Sequence, residues 1–364
     1  MSNKTILSSP ALICILLCSR IFSTLTFFTS PNTGGMTSII AVLVATVLQM
    51  VLLIPLIRLF KTCSADLSTS SAKLGKRFGK IVNASFLAFF LYQAFLDIGS
   101  FAYFTDYFFS VNMPRLLTVA CCTLTAVYAA RLDTAVIGRI AQLSVFLTAL
   151  MLLTIAAGSA DGMSAARFDL AVPNLPKAVS ASVLSETNRC SCLVIFAFLA
   201  LHTDGSSAVN AMRFLALKGV FVCTIIALVT AVLGNMSLKT PLPVFTLAAS
   251  SENLITERSD AFFLMAWIFT GLVRLAALLH CAGMCIRRLF PETNGFSAVM
   301  SAGLVPAAAA LPFLFDYRWE SIVYSEHSLL PIVLLVSVLP LTILCVNFRT
   351  AHPSQKQTVQ KSAQ

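Results

Sequence analysis

The sequence predicts an all-α integral membrane protein of about ten transmembrane helices, on three observations. Of its 364 residues, 58% are hydrophobic and only 11% charged, with a mean hydropathy of +0.88. A soluble domain carries charge on about a quarter of its residues, so this chain lacks the means to cover a water-facing surface. The apolar residues also fall into runs of about the 20 residues that a helix needs to cross the hydrocarbon core. Finally, Lys and Arg collect in alternate segments between those runs, as membrane orientation requires.

Taken in order, the predicted spans are 6–30, 36–60, 81–103, 114–130 and 138–158, then 179–201, 214–233, 260–285, 296–315 and 329–346. The first contains a run from Ala11 to Cys18 with the look of a signal-peptide core, but it lacks a strongly basic start and small residues ahead of the Cys. It reads as a span. The sixth is the least apolar, because Ser185, Glu186, Thr187, Asn188 and Arg189 interrupt it. Residues 1–348 read as one transmembrane domain and 349–364 as a short polar tail.

With the N-terminus placed inside, Lys4, Arg58, Lys61, Lys73, Lys76, Arg77, Lys80, Arg131 and Arg139 fall in inner segments. Arg213, Lys218, Arg287, Arg288, Arg349, Lys356 and Lys361 join them, with Lys218 taken as snorkelling out of the seventh span. The outer segments hold only Arg115, Arg167, Lys177, Lys239, Arg258 and Arg318. Both termini are therefore expected in the cytoplasm.

Several function classes are excluded. The net charge of +10 is not gathered into a basic patch interleaved with aromatics, which argues against nucleic acid. Most of the eleven Cys lie in apolar runs and read as small buried hydrophobes. Cys190-Ser191-Cys192 is half a metal site without a second half at zinc spacing, so neither metal nor cofactor is expected. No phosphate loop, His-Glu-x-x-His or supported nucleophile motif is present, and the four His are scattered, so no enzyme is expected.

Charges inside spans cost about 2.5–3.5 kcal/mol each on insertion scales, so each is a functional candidate with a partner. Arg20, Asp97, Glu186, Arg189 and Arg274 are the five. Counting along the helices puts Arg20, Asp97 and Glu186 at similar depth, so Arg20 is within reach of either carboxylate. The polar run 185–189 suits an unwound stretch between two half-helices, where transporters built from inverted repeats place their substrates. Two readings stand side by side: a ligand-lining site, or a structural ion-pair network. Arg274 reads equally as a packing partner or as a snorkelling side chain.

The outer loop and eighth span carry a more specific signal. The run 240–247 includes Pro243 and Phe245, and is followed by Glu257, Arg258, Ser259, Asp260, Ala261 and Phe262, then Trp267 and Arg274. This pattern resembles the spore germination protein family, the permease-like B subunits of nutrient germinant receptors within the amino acid–polyamine–cation transporter superfamily. The basic run 75–80 and the Gly138-Arg139 pair resemble the same family. On the residues alone, Asp260 is a candidate N-cap and Trp267 a core residue.

The resemblance implies two inverted five-helix repeats with the first and sixth helices broken at mid-membrane. It maps a ligand region onto Cys18, Ser19, Arg20 and Ile21, and onto Glu186, Thr187, Asn188 and Arg189, with Asp97 nearby. Superfamily members carry a glycine-containing break in the first span, where this chain has an Arg. The implied role is a spore inner-membrane subunit that binds a small amino-acid-like nutrient and signals to other germinant receptor subunits. An amino-acid/cation symporter and a non-binding membrane anchor are the alternatives.

Overall fold

The structure, a computed structural model, describes residues 7–26, 35–63, 67, 70–71, 75–108, 114–168, 174–240, 242–251, 259–313 and 328–351. A helix stands at each expected span. These are α1 (Ser9–Thr26), α2 (Gly35–Cys63), α3 (Lys76–Phe108), α4 (Arg115–Arg131) and α5 (Thr134–Gly158). Next come α6 (Leu175–Asn188), α7 (Cys192–Leu199), α8 (Ser207–Leu233) and the short α9 (Pro243–Ser250). The last are α10 (Ser259–Leu289), α11 (Gly295–Ala310), and α12 (Leu329–Val333), which runs through a π-helical turn (Leu334–Val338) into α13 (Leu339–Ala351).

Among the described residues, seven helical stretches are long and apolar enough to cross a membrane, and the bent pair α6–α7 makes an eighth. The fourth and ninth expected spans are shorter helices of 17 and 16 residues. The outer helices turn large apolar side chains outward: Val47 is 64% exposed on α2 and Leu153 68% on α5. Exposed apolar surface on that scale needs a hydrocarbon solvent.

The interior is largely apolar as well, but it also encloses polar and charged side chains. α1 packs against α5, α7, α8 and α10 and is 83% buried, which makes it the central post of the molecule. Gly138 on α5 lets α1 approach, since a Cβ there would overlap that of Ala11. At the start of α1, Leu7 forms an isolated bridge with Thr203, tying it to the turn that follows α7.

Two expectations are corrected. α1 is continuous through Cys18, Ser19, Arg20 and Ile21, with no break in Ser9–Thr26. Arg20 fits there because the helix keeps its own backbone bonds and the guanidinium finds partners elsewhere. The sixth span does break, bending by 43°, but Glu186–Asn188 form the last turn of α6 and the break is Arg189–Ser191. The polar run is therefore a helix end, which satisfies backbone groups more cheaply than an unwound stretch would.

Candidate ligand site

Two ion-pair clusters lie inside the bundle, one on each side of α1. In the first, the Arg20 guanidinium grips Glu186 at the end of α6 with both prongs, Nε donating to Oε1 at 3.3 Å and Nη2 to Oε2. Its remaining arm donates to Thr24 Oγ1 at 2.6 Å, one helical turn on. The ammonium of Lys218, from α8, donates to the same Glu186 Oε1 at 3.0 Å and to Gln49 Oε1 on α2 at 2.8 Å. Lys218 is completely buried and Arg20 is 2% exposed. Helices α1 and α8 thus meet α6 at one carboxylate, and α2 joins them through Lys218.

In the second cluster Arg274 on α10 donates from Nε to Asp97 Oδ2 on α3 at 2.7 Å. Nη2 reaches Gln93 Oε1 at 2.9 Å and Nη1 the backbone carbonyl of Ser19 at 3.1 Å. Gln93 passes the chain on, donating to Ser328 Oγ at 2.9 Å. The Arg274 guanidinium also lies 5.7 Å from the Phe22 ring centre. Asp97 and Gln93 are one turn apart on α3, so both face the same guanidinium. The two clusters meet at neighbouring residues of α1: Ser19 accepts from one, and Arg20 belongs to the other.

Beside these filled contacts stand buried polar atoms that lack any hydrogen-bond partner among the described residues. Among them are Ser19 Oγ on α1, Ser191 Oγ in the break, Gln49 Nε2 and Asn188 Oδ1. Cys190 and Cys192 place their sulfurs 3.3 Å apart at the same break. Buried polar groups are ordinarily paired, by protein, water or ligand. At the start of α7, Leu193 N and Val194 N already donate to Cys190 O and Ser191 O, at 3.0 Å each, so it is the positive end of the helix dipole that favours a carboxylate or other anion here. No group of three or more metal-ligating side chains is found among the described residues.

The structure shows where the sequence-predicted residues lie. Arg20 pairs with Glu186, and Asp97 pairs with Arg274, which settles the choice left open for each. Arg274 is a packing partner and does not snorkel. Ile21 is buried core, and Thr187 bonds back to the carbonyl of Val183 at 2.8 Å. Arg189 caps α6, its N–H donating to Ser185 O at 3.1 Å.

The loop motif divides. Pro243 opens α9 and Phe245 packs on Phe263, with ring centres 5.6 Å apart. Asp260 is not the N-cap expected, since α10 begins at Ser259 and places it in the first turn; its Oδ1 accepts from Ala261 N. A carboxylate there still faces the favourable end of the helix dipole. Arg258 lies outside the described residues. Trp267 is buried core, and its indole N–H donates to Thr26 Oγ1 at 2.9 Å, joining α10 to the end of α1.

Sequence reasoning missed Lys218, which it assigned to the cytoplasmic surface. It also missed Gln49, Gln93, Thr24 and Ser328. A signal existed for two of them: Gln49 interrupts a run that is apolar but for Thr46, and Gln93 lies four residues before Asp97.

The profile of a family described as spore germination protein matches residues 7–314. The chain belongs to that family. No curated relative matches its sequence. Its fold is similar to that of a Na+-coupled sialic acid symporter in a substrate-bound, outward-open state, at 9% identity and a TM-score of 0.57, covering 92% of this chain and 79% of that one. It is also similar to a manganese transporter of Eremococcus coleocola, at 13% identity and a TM-score of 0.55, covering 93% of this chain and 78% of that one. A second structure of that transporter gives 12% identity and a TM-score of 0.53, covering 93% and 78%. At such identities the likeness is one of fold. The chain is thus a multi-pass membrane protein with a permease-like architecture.

Proposed function

We propose that this spore germination protein is the membrane subunit of a nutrient germinant receptor, and that a small amino-acid-like nutrient binds at the α6–α7 break and helps to trigger germination. The carrying observation is the polar seam at that break. Arg20, Glu186 and Lys218 are enclosed there, and Ser191 Oγ in the break and Ser19 Oγ on α1 are buried without a hydrogen-bond partner among the described residues. A nutrient carboxylate would be drawn to the start of α7 and to Arg20, and the two hydroxyls would complete its hydrogen bonds.

Such a ligand can act only by binding one arrangement of the bundle better than another. The 43° break and the ion pairs that tie α6 to α1 and α8 are where that difference would arise. The site would then report to partner receptor subunits, in the spore inner membrane with both termini cytoplasmic. A second reading, an amino-acid/cation symporter, is favoured by the fold shared with transporters.

The test is thermal stabilisation of the purified protein by a panel of amino acids and nucleosides, comparing wild type with Glu186→Gln and Arg20→Gln. A ligand that raises the melting temperature of wild type alone supports recognition at the break. Stabilisation by none, with all three proteins folded, would sink it. Flux of that ligand into proteoliposomes separates the symporter from the sensor.

A further inference from the structure

Lys218 is the least expected side chain in the molecule. Helix α8 begins at Ser207, so Lys218 lies about 16 Å along it at 1.5 Å per residue, far from that end. Its Nζ has no exposure to solvent and sits between two oxygens from different helices, Gln49 Oε1 at 2.8 Å and Glu186 Oε1 at 3.0 Å. A carboxylate oxygen and an amide oxygen, converging in an enclosed place, are donors of the kind that proteins offer to a free hard cation. Here a covalently attached ammonium occupies it. Arg20 already pairs with the same carboxylate, so neutralising Glu186 does not by itself require Lys218. Gln49 turns its acceptor to the ammonium and leaves its own Nε2 without a partner among the described residues. An amide that sacrifices its donor in this way is oriented by a cation.

We propose that Lys218 is a tethered counter-ion filling a cation site built from Gln49 and Glu186. The polar seam then needs no free monovalent cation to hold α2, α6 and α8 together, and with the tether removed the same oxygens accept a small primary ammonium. The inference stands on this geometry alone and holds whether or not a nutrient binds at the break. It bears on the symporter reading, because a coupling cation would have to bind somewhere other than at Glu186.

The test uses the purified full chain and its melting temperature at constant ionic strength. Lys218→Ala removes three methylenes' worth of tether and the ammonium, the atoms that n-propylammonium restores. Wild type is expected to melt alike in sodium, choline and n-propylammonium chloride. Lys218→Ala is expected to melt lower in choline chloride and to recover by about 2–4 °C, saturably, with n-propylammonium. Tetramethylammonium, which has no N–H to donate, should give no recovery. The Lys218→Ala/Glu186→Gln double variant should not respond either. Folded Lys218→Ala that ignores n-propylammonium, or responds equally without Glu186, overturns the proposal. Should Lys218→Ala not fold, wild type decides: a sodium-dependent rise in melting temperature that Glu186→Gln abolishes shows an open cation site and overturns it, whereas equal melting in sodium and choline supports it.

Discussion

Arg20 and Glu186 lie 166 residues apart and form a two-pronged ion pair between the central helix α1 and the end of α6. Because Lys218 shares the same carboxylate, the cluster is asymmetric. Glu186→Gln leaves two buried cations facing each other without a counter-charge, and removing one partner of a buried pair costs about 3–5 kcal/mol. Arg20→Gln leaves the Glu186–Lys218 pair in place, so only charged hydrogen bonds are lost, about 1.5–3 kcal/mol. Thermal melts should therefore rank Glu186→Gln below Arg20→Gln. The opposite order would mean that Lys218 does not neutralise Glu186.

The second cluster depends on shape as well as charge. Arg274 serves the Asp97 carboxylate, the Gln93 amide and the Ser19 carbonyl in three directions at once. A lysine ammonium keeps the charge but has neither the reach nor the fork. Arg274→Lys is expected to lose about 1.5–3 kcal/mol. Arg274→Leu strands Asp97 and should lose about 3–5 kcal/mol. If the lysine variant melted like wild type, the guanidinium geometry would be irrelevant.

How far this was legible in the sequence depends on the kind of information each residue carries. Hydropathy marks the spans because burial in lipid is a property of the run itself. Glu186 and Asp97 stand out because a charge within such a run is costly wherever it points. Which cation meets which carboxylate depends on the rotation of α1, α3 and α10 about their axes, and a single sequence does not hold that. Lys218 was misplaced for a related reason. A lysine near a span end has a low-cost escape to water by snorkelling, and only the packing of α2 and α8 shows that it turns inward. The break in the sixth span was visible as polarity, whereas the unbroken course of α1 was not, because the family's usual pattern suggested otherwise.

Trp267 offers a smaller and cleaner measurement. Its indole N–H donates to Thr26 Oγ1 at 2.9 Å, while Phe22 and Phe101 crowd the ring at 5.6 and 5.0 Å between centres. Trp267→Phe and Thr26→Val each remove the bond, at a net cost of about 0.5–1.5 kcal/mol for the bond itself. A double-mutant cycle should show coupling of that size, since the second substitution removes a bond already lost. Additive losses would show that packing, and not this bond, fastens α10 to the end of α1.

Gly271 tests the packing of the same region, and two effects of opposite sign compete there. In a helix interior, alanine is favoured over glycine by about 0.8–1 kcal/mol. Against this, a Cβ at Gly271 would overlap the rings of both Phe22 and Phe101, and neither can retreat easily. Phe22 and Phe101 are stacked at 5.3 Å and both are enclosed by Trp267. Overpacking of this kind costs about 1–3 kcal/mol, which exceeds the helix gain. Gly271→Ala should therefore lower the melting temperature, and Phe101→Leu in the same chain should recover part of the loss by vacating the space. Because Phe22 also lies against the Arg274 guanidinium, a forced shift of that ring would loosen the ion pair to Asp97. Gly271→Ala should then cost less in an Asp97→Asn/Arg274→Gln background than in wild type. An equal cost in both backgrounds would show that the rings absorb the strain without passing it on.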